Sequence, residues 1–517
     1  MARSPKLSKT RFHSGLQCHK KLWLLIHDHD KATPIGPGQQ GIFDQGTRVG
    51  EIARLRWPDG ILVAEDYLHH HESVETTKKL LSDPNVTAIF EAGFEELGTR
   101  VRVDVLTRSN DGDAWDMYEV KSSTSHKPEH DTDVAIQLLV LKEAGIVVRR
   151  KLLLLIDTSY EFYGDEIEPD DLLYAVDVSS EVDELQSDIR EQLEAQQLMI
   201  QLPDEPIVEP DRHCSKPYQC DFWDYCTRNK PEHWIFQLPG IRQTQIARWR
   251  GQGFEDITRV PPSVKLNDRH SMISRSAQSG DVWVGEGLKS TLDTLRYPIH
   301  YLDFETFNPA IPVYEDTNPY ELVPFQWSCH IDSGDGELIH EEFLADGMAD
   351  PREEFVETLC QVLGEFNQSG SIVVYSSFEK RVLTGLARKY DDPPGQMTGY
   401  GWDPGGTNRP VGAIIDRLWD LMAVIRNNYY HPNFHGSISI KSVLPAVSPE
   451  LDYSALEIGE GSAASFAFQK QAERVLSESE WERTRSDLLE YCGLDSLAMA
   501  RVVQVLKAEV GTQRDRP

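Results

Sequence analysis

The stretch 101-VRVDVLTRSNDGDAWDMYEVKSS-123 decides how the first half of the chain is read. Its alternating apolar residues predict two strands joined by the turn SNDGD, with Asp104 ending the first strand and Glu119 and Lys121 on the second. Residues two apart on a strand share a face, so Glu119 and Lys121 are expected to point into one cleft. Two carboxylates, Asp104 and Glu119, can hold Mg²⁺ or Mn²⁺ through oxygen and water ligands. A metal held there activates water and neutralises phosphate charge, and Lys121 stabilises or orients. The helix predicted in DTDVAIQLLVLKEAG adds Gln137, which could position Lys121 or touch a backbone. A bare Glu-x-Lys would read as a surface cross-strand pair. The upstream aspartate and the downstream glutamine favour a site.

Around this core the cysteines are split one and three. Cys18 stands in SKTRFHSGLQCHKKLWL, and Cys214, Cys220 and Cys226 stand in HCSKPYQCDFWDYC. Four thiolates can hold one iron–sulfur cluster or one zinc ion, and either would pin the first helix of the domain to its tail. Zinc sites favour two to four residues between paired cysteines, whereas both gaps here are five. The iron–sulfur cluster is therefore expected, with zinc as the alternative. Cys329, Cys360 and Cys492 lie in apolar or mixed runs and read as ordinary buried thiols.

These motifs resemble the RecB-like branch of the PD-(D/E)xK nucleases, in particular its iron–sulfur members, over residues 1–230. The resemblance implies a restriction-endonuclease-like α/β fold, a [4Fe–4S] cluster on the four cysteines, and Asp104, Glu119, Lys121 and Gln137 as core motif residues. Many members place a histidine ligand on an early helix. FDQGTRVGEIA has Gly50 there, and Glu51 beside it is the expected substitute. The aromatic residue that usually follows the glutamine is also missing from QLLVL.

A second α/β pattern begins near residue 296. HYLDFETF reads as a buried strand with Asp303 and Glu305 on one face, and SIVVYSSFEKRVLTGLA as a strand, a turn and a helix opening with Glu379. RLWDLMAVI supplies a further strand or helix start with Asp420. LLEYCGLDSLAMARVVQVL is a strong amphipathic helix with Tyr491 and Asp495 one turn apart. Carboxylates from these elements could converge on two metals, with Tyr491 aiming the attacking water. Each pattern alone occurs by chance; their order on apolar strands makes accident a poor explanation. This half is similar to the DEDD exonucleases of RNase H-like fold, in the variant with a Tyr-x-x-x-Asp third motif. That resemblance implies 3′→5′ exonuclease activity, with Glu379 in place of the usual aspartate after an aromatic. The combination of the two halves looks like a group of prokaryotic fusion proteins.

Composition bounds the rest. At 517 residues the chain is long enough for about three domains. We expect 1–230 as the nuclease-like domain, 231–295 as a small helical connector, and 296–517 as the RNase H-like domain. The run LPGIRQTQIARWRGQGFEDITRVPPSV suggests short helices and tight turns, more in keeping with a spacer than with a nucleic-acid-binding hairpin. Seven cysteines do not make a disulfide scaffold in a chain of this length. MARSPKLSKTRFHSG has no apolar core of a signal peptide, and no run approaches the roughly 20 residues of a membrane span. A soluble, cytoplasmic protein with no membrane partner is expected. The net charge of −32 argues against broad adhesion to nucleic acid but leaves room for a local basic channel.

The leading expectation is a Mg²⁺- or Mn²⁺-dependent nuclease with two centres acting on DNA, and also RNA as a possible substrate. The alternatives are that one half is an inactive nucleic-acid clamp, or that the chain is an iron–sulfur scaffold or redox sensor in a repair or defence complex.

Overall fold

A computed structural model describes residues 6–109, 114–164, 166–261, 263–365, 369–391, 396–398, 401–403 and 410–513. The tip of the expected SNDGD turn, residues 110–113, lies outside them. The chain folds as two units, Met1–Asn229 with Pro309–Tyr320, and Lys230–Asn308 with Glu321–Pro517. Both are mixed α/β.

The first unit is built on a seven-stranded sheet. Its strands are β1 (Leu7–Ser8), β2 (Ile61–Leu62), β3 (Ala88–Glu96), β4 (Thr99–Arg108), β5 (Trp115–Val120), β6 (Val148–Ile156) and β7 (Leu173–Asp177). The order is β2-β3-β4-β5-β6-β7, with β1 beside β4. β3, β4 and β5 run antiparallel, and β6 pairs parallel with β5. Leu97 and Gly98 join β3 to β4 with φ of 50° and 65°, the two left-handed residues that a tight hairpin turn requires. Alternation in TRVRVDVLTR continues past Asp104, so β4 runs on to Arg108. Asp104 thus sits inside its strand and not at its end.

The helices α1 (Lys9–Gln17), α2 (His19–His27), α3 (Pro37–Arg54), α4 (Pro128–Glu143) and α5 (Gln186–Met199) belong to the same unit. α4 makes the crossover between the parallel strands β5 and β6. Proline at its first turn needs no hydrogen-bonded N–H, and its residues Val134–Leu141 are all buried. Ser8 caps α1 by accepting from the Arg11 N–H at 3.2 Å.

Residues 309–320 fold with this first unit, although the sequence places them in the C-terminal half. Ala310 and Ile311 are buried in a cluster with Val49, Ala53, Leu154 and Ile156. The Ala310 N–H donates to Gln45 Oε1 at 3.0 Å, and Asn318 Nδ2 to the Tyr160 carbonyl at 2.7 Å.

The second unit centres on a five-stranded sheet. Its strands are β9 (Ile299–Phe307), β10 (Val323–Asp332), β11 (Leu338–Leu344), β12 (Ile372–Val374) and β13 (Leu418–Asp420), preceded in the chain by the short β8 (Trp283–Val284). The order is β11-β10-β9-β12-β13, with β10 antiparallel to both neighbours and β9, β12 and β13 parallel. Its helices include α6 (Phe378–Tyr390), α7 (Leu421–Asn428), α8 (Ile440–Val447), α9 (Gly461–Ala472) and α10 (Glu478–Gln513). α10 lies across β9 and β10, where Gln326 Nε2 donates to the Leu488 carbonyl at 2.8 Å. Residues 231–295, expected as a connector, fold with this unit. β8 pairs antiparallel with β14 (Tyr429–Tyr430), and His270 Nε2 lies 2.9 Å from the Pro239 carbonyl. Among the described residues no helix is long and apolar enough to cross a membrane.

Candidate active sites

In the second unit β9 is buried along nearly its whole length, and its pleat sets Asp303 and Glu305 on one face. α10 brings Tyr491, Cys492 and Asp495 against them. Among the described residues, ligand oxygens of Asp303, Glu305 and Asp495 all lie within 4.8 Å of one another. Three carboxylates cannot stay ionised so close together in a buried pocket without a counter-cation. Burial first, and then Asp495 and the other carboxylates, hold Asp303 and Glu305 well above the usual carboxylate range. Burial also raises Asp495, against the Tyr453 hydroxyl, which donates to its Oδ1 at 2.5 Å.

Glu379 opens α6 as expected and is buried. Burial, with smaller repulsion from Asp420 and Asp495, pushes it up to about 7 despite hydrogen bonds from backbone N–H groups. Its Oε2 is buried without a hydrogen-bond partner. Such an oxygen is costly unless something absent from the bare protein binds it. Asp420 instead caps α7, accepting from the Ala423 N–H at 2.8 Å. The donor set suits Mg²⁺ or Mn²⁺: oxygen ligands, excess negative charge and no competing imidazole within the group.

Three neighbours of this group were not legible as site residues. Tyr453 holds Asp495, Lys441 Nζ donates to the Tyr491 hydroxyl at 3.1 Å, and Cys492 Sγ lies 3.4 Å from Asp303 Oδ2. Cys492 is therefore part of the pocket wall as well as a buried thiol. Cys329 is fully buried and Cys360 partly buried, in the apolar cluster on the sheet's other face.

In the first unit β4 and β5 bring Asp104 and Glu119 together. Asp104 Oδ2 accepts from the Val120 N–H at 2.7 Å. Glu119 is surrounded by donors: Lys121 Nζ at 2.8 Å, Lys9 Nζ at 2.6 Å and Gln137 Nε2 at 2.7 Å. The two acids are driven apart in acidity. Burial and the Glu119 charge push Asp104 up to about 7. Burial works against the Glu119 carboxylate too, but Lys121 and Lys9 outweigh it and hold Glu119 below its ordinary value. Lys121 also reaches Asp133, which lies 2.7 Å from His13 Nε2. Gln137 thus holds Glu119, not Lys121. Glu51 is exposed on α3 and stands outside this group. Glu91, left-handed at φ 55° opposite Asp104 in an unshifted β3–β4 register, adds to the rise of Asp104 and is held by Arg54 at 3.0 Å. Lys9, His13, Asp133 and Glu91 were not foreseen. The only sequence signal for the first two was their helical spacing ahead of Cys18.

Cys18, Cys214, Cys220 and Cys226 line one pocket with Lys20 and Lys21, and the chain's seven cysteines form no disulfide. Burial, with smaller repulsion among the four, pushes Cys214 up to about 11 and raises Cys220 and Cys226. Among the described residues no three of these sulfurs lie within 4.8 Å of one another. Tetrahedral zinc, with bonds of about 2.3 Å, would hold its sulfurs about 3.8 Å apart.

Residues 300–439 match the model of a domain of unknown function (DUF2779). The match includes Asp303, Glu305 and Glu379 but stops before Lys441, Tyr491 and Asp495. The chain is 26% identical over 277 residues, 51% of its length, to "Uncharacterized protein MG366 homolog" of Mycoplasma pneumoniae, and covers 40% of that protein. It is likewise 26% identical to "Uncharacterized protein MG366" of Mycoplasma genitalium, with 43% of this chain and 33% of the relative covered. "Uncharacterized protein UU173" of Ureaplasma parvum is 26% identical, over 40% of this chain and 31% of its own length. The chain thus spans well under half the length of these relatives.

Proposed function

We propose that the second unit is a divalent-metal-dependent phosphodiesterase acting on nucleic acid, a DEDD-type 3′→5′ exonuclease of RNase H-like fold. The observation that carries this reading is the convergence of Asp303, Glu305 and Asp495, with Glu379 close enough to feel their charge. The sheet order and the strand–helix placement of these motifs support it further. Mg²⁺ or Mn²⁺ bound by these carboxylates would supply Lewis acidity and a more acidic water. The chain's own residues do the rest. Tyr453 holds Asp495 in its rotamer, and the Tyr491 hydroxyl stands one helical turn from Asp495, where it can orient a water. The enclosed pocket strengthens each of these polar interactions.

For the first unit we propose a second, PD-(D/E)xK-type nuclease centre on Asp104, Glu119 and Lys121, with a [4Fe–4S] cluster on the four cysteines. The five-residue gaps between Cys214, Cys220 and Cys226, which share one pocket with Cys18, support a cluster over a single zinc ion. Reduced thiols throughout fit a cytoplasmic setting. A second reading, that this half only clamps nucleic acid, is favoured by the two lysines and the glutamine already occupying Glu119.

The test is hydrolysis of end-labelled single-stranded DNA and RNA with Mn²⁺ by wild type, Asp303→Ala, Glu119→Ala and the double variant. Shortening from the 3′ end that is lost in Asp303→Ala supports the exonuclease. Residual cleavage that disappears only in the double variant supports two centres. Wild type without metal-dependent cleavage of either polymer refutes the reading.

A further inference from the structure

Resting on the hydrolase reading of the second unit, we infer that Lys441 is a positioning residue of that centre. It acts through Tyr491, whose hydroxyl it turns into a fixed donor toward the carboxylates.

Lys441 is the second residue of α8 and is half-buried. Its Nζ donates to the Gly459 carbonyl at 2.6 Å and to the Tyr491 hydroxyl at 3.1 Å. It also stands 4.9 Å from the centre of the Tyr491 ring and 5.4 Å from that of Tyr453, within range of a cation–π attraction to both. An ammonium has three N–H donors and no acceptor. In the Lys441–Tyr491 bond the phenol oxygen must therefore accept, so its single proton points elsewhere. Asp495, one turn along α10, and Glu305, on the side of Gly461, are the carboxylates that proton can be turned toward. Without the lysine the phenol could rotate and accept from a water, losing the direction in which it donates. The carbonyl of Gly459 anchors the ammonium from outside the pocket. Gly461, two residues on, leaves open the space beside Glu305 and Tyr491. A side-chain carbon there would lie 3.7 Å from Glu305 Oε2 and 3.9 Å from the Tyr491 hydroxyl. Gly459 thus supports the lysine, and a carbon at Gly461 would make only ordinary contact with Glu305 and Tyr491. The charge of Lys441 also opposes the rise that burial imposes on Glu305 and Asp495, without touching either.

A lysine that merely ties α8 to α10 would have the same hydrogen bonds, so the test must separate packing from positioning. The full chain is assayed as wild type, Lys441→Met, Lys441→Arg, Tyr491→Phe and Lys441→Met/Tyr491→Phe, with Mn²⁺ and 5′-labelled single-stranded DNA. Melting temperatures are recorded alongside. The expected result is a kcat lowered about tenfold to a hundredfold in Lys441→Met. KM should stay within about twofold, because ground-state binding is not the interaction removed. Once Tyr491 has lost its hydroxyl, removing Lys441 should cost nothing more, so the double variant should match Tyr491→Phe. Lys441→Arg, which still offers donors to the phenol, should recover part of the loss even if Lys441→Met is less stable. Additive losses in the double variant, or an unchanged kcat in Lys441→Met, overturn the inference and leave the hydrolase reading standing. A folded wild type that cleaves nothing, and so behaves like Asp303→Ala, overturns both.

Discussion

Lys9 and Cys18 stand at the two ends of one helix, α1, nine residues long. Lys9 Nζ is 2.6 Å from Glu119 Oε1, and Cys18 ends the helix and lines the four-cysteine pocket about 13 Å away along the axis. Between them His13 meets Asp133, and Gln17 Nε2 donates to the carbonyls of His213 and Tyr218 at 2.8 and 2.7 Å. A short helix is marginal alone and takes its stability from such ties. The cysteine pocket and the Asp104–Glu119 pair are therefore joined by one rigid element.

Replacing Cys18 with alanine should loosen that element. Amides of Lys9–Gln17 are expected to exchange on the order of tenfold faster, equivalent to about 1.4 kcal/mol of local stability. Amides of β9 in the second unit should keep their protection. Hydrogen-exchange mass spectrometry on wild type and Cys18→Ala reads both, and an unchanged α1 would show that the pocket does not anchor the helix.

Lys9→Met should separate the two lysines of the first site. Glu119 would lose one of its two cations while remaining buried beside Lys121 and Gln137, at a cost of about 1–3 kcal/mol. Lys9 and Lys121 hold the Glu119 carboxyl below its ordinary value in the folded state. The stability from that pairing is present above the unfolded-state value and is lost as pH falls through the folded one. The penalty of Lys9→Met should therefore be full at pH 7 and shrink below about pH 4. A denaturant midpoint difference that does not narrow in acid would rule out this account.

The strands that carry Asp104, Glu119, Asp303 and Glu305 were legible because alternation or an unbroken apolar run is a local signal. Even so, Asp104 looked like a strand end, since a charged residue beside a turn signal reads as a boundary. The pairing of Val105–Thr107 with both β3 and β5 is what carries the strand past it. Lys441 and Tyr453 could not be read, because they reach Tyr491 and Asp495 through folds of the chain that no short window encodes. The segment NPAIPVYEDTNPY has the prolines and asparagines of a loop, yet Ala310 and Ile311 fill a gap in the first unit. Its placement depends on Val49 and Leu154, residues far away in sequence.

That placement has its own test. Ala310 is fully buried in the first unit, and Ala310→Asp would put a carboxylate there with no partner. A loss of several kcal/mol is expected. It should fall on the first unit, so protease cleavage within β4–β6 and 309–320 should accelerate while fragments from β10 to α10 persist. Equal sensitivity of both units would show that 309–320 is not an integral part of the first.

Glu379 sets the last expectation, because its buried Oε2 is unpartnered and its carboxyl is pushed up to about 7. For an acid raised in the folded state, ionisation favours unfolding. Its contribution is therefore least harmful below the unfolded value and turns destabilising as pH rises through about 7. Without divalent metal, Glu379→Gln should raise the stability of the second unit at pH 8 by about 1–3 kcal/mol, and by much less at pH 5. Adding Mn²⁺ should reverse the comparison, since the wild-type carboxylates gain a counter-cation and the variant has one fewer to offer. Wild type is thus expected to show the larger metal-induced rise in melting temperature, and more so at pH 8 than at pH 5. Melting curves of both proteins at the two pH values, in EDTA and in Mn²⁺, measure all four corners. If Glu379→Gln is no more stable than wild type in EDTA at pH 8, the carboxylate is already neutralised from within the chain. If the metal-induced gains are then equal as well, Glu379 does not belong to the cation-binding group.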